Sequence, residues 1–106
     1  MIYFISNGND KVKIGYSGTD RTFENRIRTY KTHNPDTILL DTNVFCNIDD
    51  ENNIKCELKP FKIGRSEWYY NIPEIHEIWD RYKKLAETRI KEQLKNNIVS
   101  ITKNNE

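Results

Sequence analysis

The sequence predicts an α+β fold in which a three-stranded antiparallel sheet is flanked by helices and a long helix closes the chain. Three observations lead there. Two short apolar runs near the N-terminus are joined by a cluster of turn formers. The hydrophobic period then changes from that of a strand to that of a helix after Asp20. A proline-initiated amphipathic run begins at Pro73. Read in order, the elements are β-β-α-β-α-extended-α.

The first strand is Ile2-Tyr3-Phe4-Ile5-Ser6, which stops at Asn7-Gly8-Asn9-Asp10, a stretch suited to a tight turn. The next run alternates, with Val12, Ile14 and Tyr16 on one face and Lys11, Lys13 and Gly15 on the other, as in a half-buried strand. Phe23, Ile27 and Tyr30 recur at helical spacing behind Thr19 or Asp20 as N-cap, and the helix ends near His33-Asn34-Pro35 because proline disfavours helical geometry in the residue before it.

A third strand is expected over about residues 37–46. Asp49 or Asp50 then caps a second short helix with Ile54 and Leu58 on its apolar side, and Pro60 limits its extent. Residues 61–70 read as irregular or partly extended. Pro73 suits the first turn of the last helix, whose stripe of Ile75, Ile78, Trp79, Tyr82, Leu85 and Ala86 is expected in the core.

With 106 residues the chain fits one domain, 1–98, followed by a frayed tail at 99–106. No run approaches the roughly 18 apolar residues of a membrane helix and no basic leader precedes the first strand, so a soluble, intracellular protein with no membrane partner is expected. Cys46 and Cys56 have no metal-ligand spacing with the two histidines and are too few for a disulfide scaffold, so both read as ordinary buried or half-buried thiols.

Net charge is +1, but its distribution is uneven. Residues 1–35 carry Lys11, Lys13, Arg21, Arg26, Arg28 and Lys31 against Asp10, Asp20 and Glu24, whereas residues 36–54 carry five acids and no Lys or Arg. A polyanion is therefore expected to meet the N-terminal third. Solvated surface is the bland account of the same pattern.

The first two strands carry the tripeptides Met1-Ile2-Tyr3 and Lys13-Ile14-Gly15, followed by Tyr16-Ser17, Arg26-Ile27, Asn34-Pro35, Leu39-Leu40 and Gly64-Arg65-Ser66-Glu67-Trp68-Tyr69. This ordered set, over about residues 1–70, resembles the GIY-YIG nuclease superfamily. It is most similar to a branch of small phage and viral proteins whose second tripeptide reads KIG and which carry a later Glu-Trp-aromatic segment. Richness in Asn, Ile and Lys is compatible with an AT-rich phage or viral genome; for a viral protein, host cytoplasm or nucleus is the location the resemblance implies.

The resemblance implies metal-dependent hydrolysis of a DNA phosphodiester. Tyr3 would activate the attacking water or hold it in line, and a phenol with its ordinary pKa near 10 would need a nearby cation to act as base. Arg26 would hold the scissile phosphate through paired, charge-assisted hydrogen bonds. Glu51 would bind a single Mg²⁺ or Mn²⁺ ion, with Glu57 as the fallback carboxylate.

Lys11, Lys13, Gly15, Arg28 and Lys31 would contact DNA, Gly15 by allowing close backbone approach. Glu67, Trp68 and Tyr69 are assigned to structure, with Trp68 in the core and the assignment of Glu67 left open. Without the resemblance, Tyr3 reads as a core tyrosine, Arg26 as surface charge and Glu51 as an acid favoured by the helix dipole.

The chain departs from the family pattern at Met1 and Lys13, and at Lys55 where the branch has a histidine. A non-catalytic module of the same fold, binding nucleic acid or a protein partner as regulator or inhibitor, is therefore the alternative. Oligomeric state stays open, a homodimer through the last helix included.

Overall fold

A computed structural model describes residues 1–104, with residues 98–104 described by backbone alone. The tail expected at 99–106 lies outside the fully described residues.

Strands β1 (Ile2–Ser6) and β2 (Lys11–Tyr16) form an antiparallel hairpin. The Asn7 side chain accepts the backbone amides of Asn9 and Lys11, and Gly8 takes the left-handed φ of 86° that closes the turn. A Cβ at Gly8 would also stand 2.5 Å from the Asp36 carbonyl oxygen, so the turn is packed against the end of the first helix connection.

Helix α1 (Asp20–His33) follows, with Thr19 as N-cap accepting from the Thr22 amide. It leads through the Asn34-Pro35 turn to β3 (Ile38–Asn43), which pairs with the free side of β1. The strand stops short of the expected Cys46, because the Asn43 side chain accepts from the Phe45 amide and turns the chain.

Helix α2 (Ile48–Leu58) is capped by Asn47 and not by Asp49 or Asp50. Asn47 accepts from the Asp50 amide at 2.9 Å while the Asp50 carboxylate accepts from the Asn47 amide at 2.8 Å, a reciprocal capping box. Asp50 is thus the partner of the cap inside the first turn.

The sheet has four strands, ordered β3-β1-β2-β4, and not three. The fourth, β4 (Tyr69–Tyr70), pairs with Lys11 and Val12 and is too short to leave an alternating pattern. Its register puts Tyr69 beside Val12 in the core and leaves Trp68, expected in the core, half-buried.

Helix α3 (Pro73–Asn104) closes the described chain. Ile75, Trp79 and Ala86 are buried against Ile2, Phe4, Val12, Ile14, Ile54 and Leu58, with Ile78 and Tyr82 packed at the margin. Leu85, expected in this stripe, is 58 % exposed, since one residue before Ala86 it points about 100° round the helix.

Polar ties hold α3 in place. Trp79 Nε1 and Lys83 Nζ both donate to Asp41 of β3, at 2.9 and 2.8 Å. Arg89 donates to the Asp50 carboxylate and to the Phe45 carbonyl, which fastens the start of α2 to α3. No helix among the described residues is long and apolar enough to cross a membrane.

Candidate active site

β1 is buried along its whole length because both of its faces are covered. Ile2 and Phe4 point into the core, while Tyr3 points the other way and packs against Phe23 and Tyr30 of α1, with ring centroids 5.7 and 6.3 Å apart. Tyr3 sits directly opposite Gly15 in the hairpin register. A Cβ at Gly15 would lie 2.3 Å from both Cζ and Oη of Tyr3, so the phenol crosses the backbone where any side chain would stand.

That arrangement opens onto a cavity of about 320 Å³. It is lined from the hairpin by Tyr3, Lys13, Gly15 and the neighbouring Ile14 and Tyr16, from α1 by Arg26 and Tyr30, from α2 by Ile48, Glu51 and Lys55, and by Glu67 before β4. Tyr3, Arg26 and Glu51 are therefore brought together, with Lys13 and Gly15 beside them.

Lys11, Arg28 and Lys31 are not in this cavity. Lys11 lies at the far end of β2 opposite Tyr70, and Arg28 and Lys31 line a separate groove between α1 and β3, with Phe23, Ile27 and Leu39. Glu57 is also elsewhere, ion-paired with Arg81 of α3.

Three cations face two carboxylates in the cavity. Lys13 Nζ is 2.6 Å from Glu67 Oε2 and 4.9 Å from the centroid of the Tyr30 ring. Burial opposes its charge, but Glu67 and Tyr30 outweigh that and hold its pKa above the ordinary value. Lys55 Nζ is 2.8 Å from Glu51 Oε1. Arg26 donates to the Tyr16 carbonyl and, among the described residues, forms no ion pair, so its guanidinium charge is free to meet an anion.

The two phenols differ in acidity. Tyr3 is 1 % exposed, and burial together with its 3.2 Å contact to the Tyr30 hydroxyl pushes it up to about 12, although Arg26 pulls the other way. Burial also acts to raise Tyr30, but the hydrogen bonds with Tyr3 and Lys13 prevail and hold it below its ordinary value. Tyr3 therefore keeps its proton, and Tyr30 is the phenol that gives one up more readily.

A divalent ion would find two carboxylates here, both ion-paired, of which Glu51 is the half-buried one and Glu67 the exposed one. Among the described residues no group of three or more His, Cys, Asp or Glu side chains is placed to hold a metal. The Glu51 side chain is 12 % exposed, and its Oε2 is buried with no hydrogen-bond partner. A buried carboxylate oxygen without a donor is an unfilled acceptor, so Glu51 fits a lone-carboxylate ligand, with water or substrate oxygens completing the shell.

Sequence reasoning missed Tyr30 as a site residue, took Lys55 only as the replacement for the branch's histidine, and left Glu67 undecided. Tyr30 had a signal, four residues after Arg26 on one helix face, and Lys55 stands in the same relation to Glu51. Glu67 stood in the Glu-Trp-aromatic segment, but its pairing with Lys13, 54 residues away, leaves no local pattern. Comparison of the chain with protein-family models, with curated proteins and with solved structures finds no match.

Proposed function

We propose that this chain is a GIY-YIG-like endonuclease that hydrolyses DNA phosphodiesters with a single Mg²⁺ or Mn²⁺ ion. The observation that carries the reading is convergence: Tyr3, Lys13, Gly15, Arg26 and Glu51, drawn from β1, β2, α1 and α2, line one open cavity. Their types match what phosphoryl transfer needs, namely fixed positive charge, hydroxyls to orient water and a hard carboxylate.

In this reading Arg26 grips the non-bridging oxygens of the scissile phosphate, its charge unspent on any carboxylate. Tyr3, holding its proton, donates it to the Tyr30 oxygen and keeps a lone pair with which to accept a hydrogen bond from water and hold it in place. Tyr30, once it has lost its proton to solvent, is the phenolate beside Lys13 that accepts the proton of the attacking water and becomes the phenol again. Water oxygen bonds to phosphorus as the ester P–O bond breaks, and the departing alkoxide takes up a proton from solvent. A divalent ion held by Glu51 would supply Lewis-acid polarisation and charge neutralisation for that alkoxide.

The test is cleavage of supercoiled plasmid with Mg²⁺ or Mn²⁺ by the wild type, Arg26→Ala and Glu51→Gln. Each substitution is expected to lower the rate by roughly 100-fold or more, as for removal of one group that stabilises transition-state charge. Cleavage that survives both substitutions would sink the assignment.

A second reading, a non-catalytic module that binds nucleic acid or a protein partner, is favoured by one observation: the Glu51 carboxylate is already ion-paired with Lys55. A gel shift with DNA in the absence of any cutting, unchanged by Glu51→Gln, is its expected signature.

A further inference from the structure

We infer that Lys55 is the resident counter-ion of Glu51, which a divalent ion must displace in order to bind. The inference deepens the nuclease reading and rests on Glu51 being the metal ligand. Glu51 and Lys55 occupy successive turns of α2, and the capping box at Asn47 and Asp50 fixes where that helix starts. The carboxylate is consequently held at the cavity wall and is not free to retreat into solvent.

Its two oxygens are unequal. Oε1 takes the Lys55 ammonium at 2.8 Å, while Oε2 is buried without a donor. A carboxylate so placed is costly unless a cation stays close, and Lys55 supplies that cation when no metal is present. The same ammonium sets a threshold. An incoming ion meets three positive side chains, Lys13, Arg26 and Lys55, and only Lys55 touches the ligand carboxylate.

Lys55 is also the partner built to move. Its side chain is 36 % exposed, against 12 % for Glu51, and a flexible four-carbon stem lets the ammonium swing off the carboxylate without disturbing the helix. Once displaced it remains beside the cavity, where a substrate phosphate would attract it. Weak metal affinity in the free protein and tighter affinity with an anion bound follow from this one exchange.

The experiment is a Mn²⁺ titration of the full chain, reading free Mn²⁺ by electron paramagnetic resonance, with circular dichroism to verify folding. Wild type, Lys55→Met, Lys55→Gln, Glu51→Gln and the Lys55→Met, Glu51→Gln double variant are compared. Both Lys55 variants are expected to bind Mn²⁺ roughly fivefold or more tighter, the scale of a partly buried ion pair, and both Glu51→Gln proteins to lose the site.

Equal or weaker binding by the two Lys55 variants overturns the counter-ion role. If Glu51→Gln still abolishes the site in that case, the metal role of Glu51 survives. Absence of Glu51-dependent Mn²⁺ binding in every protein defeats both readings together.

Discussion

Tyr3 lies across Gly15, with its phenol in the space that a β-carbon at Gly15 would take, 2.3 Å from Cζ and Oη. The pair faces each other in the β1–β2 register, so the phenol cannot be moved without changing the hairpin or the glycine. Gly15 is accordingly a steric requirement of the site.

Gly15→Ala is therefore expected to force Tyr3 from its seat. Overpacking of a fitted interior commonly costs about 1–3 kcal/mol, and here it falls on the candidate active site itself. Urea denaturation should show that loss and plasmid cleavage should collapse. An unchanged midpoint with full activity would contradict the packing described.

The difference between the phenols predicts a pH signature. Tyr30 lies below its ordinary value and Tyr3 is pushed up to about 12, so on raising the pH the first phenolate forms at Tyr30. Cleavage should climb through the alkaline range, and Tyr30→Phe should lose the climb. Lys13→Met, which removes the ammonium beside Tyr30, should move it to higher pH. A profile identical in all three proteins would rule out Tyr30 as proton acceptor.

Asp50 predicts an acid-sensitive stability term. Burial acts to raise its pKa, but the Arg89 guanidinium and the Asn47 amide prevail and set it below the ordinary 3.8. A carboxylate depressed on folding stabilises the protein above the unfolded value, and that stability is lost as pH falls through the folded one. Asp50→Asn should thus cost about 1–2 kcal/mol at neutral pH, the scale of a lost cap and charged hydrogen bond. The gap from wild type should close as the pH is taken below 3.8. Thermal melts across pH measure both halves.

Arg28 and Lys31 lie outside the cavity, in the groove between α1 and β3. If DNA runs over α1, reversing them to Glu should weaken binding equally for all sequences and flatten the salt dependence by about one unit for each phosphate that is no longer neutralised. Salt titrations of DNA binding give the slope, and a slope equal to wild type would leave these two residues as plain surface.

Much of this fold was legible because local chemistry spells it out. The Asn7–Asp10 turn, the alternation from Lys11 to Tyr16 and the proline at Pro73 each act within a few residues of themselves. That Tyr3, Arg26 and Glu51 share a site was implied by the family resemblance alone, and the three line one cavity. What stayed hidden depends on partners distant in the chain. β4 exists only because Lys11 and Val12 offer an open edge, Glu67 meets Lys13 across the sheet, and Leu85 misses the core by the rotation of one residue. Asn47 was overlooked as a cap because two aspartates follow it, and only the reciprocal bonds distinguish cap from partner.

Helix α1 has no fully buried residue, whereas every residue of β1 beneath it is buried. Arg26 and Tyr30 of the candidate active site thus ride on a lightly seated helix, while Tyr3 sits on the most deeply set strand. Opening of α1 should require less free energy than global unfolding, so its amides should exchange with deuterium ahead of those in β1. An anion bridging Arg26 and Lys13 would tie helix to sheet, and its arrival should be read as slower exchange along Asp20–His33, a signal of occupancy that needs no turnover.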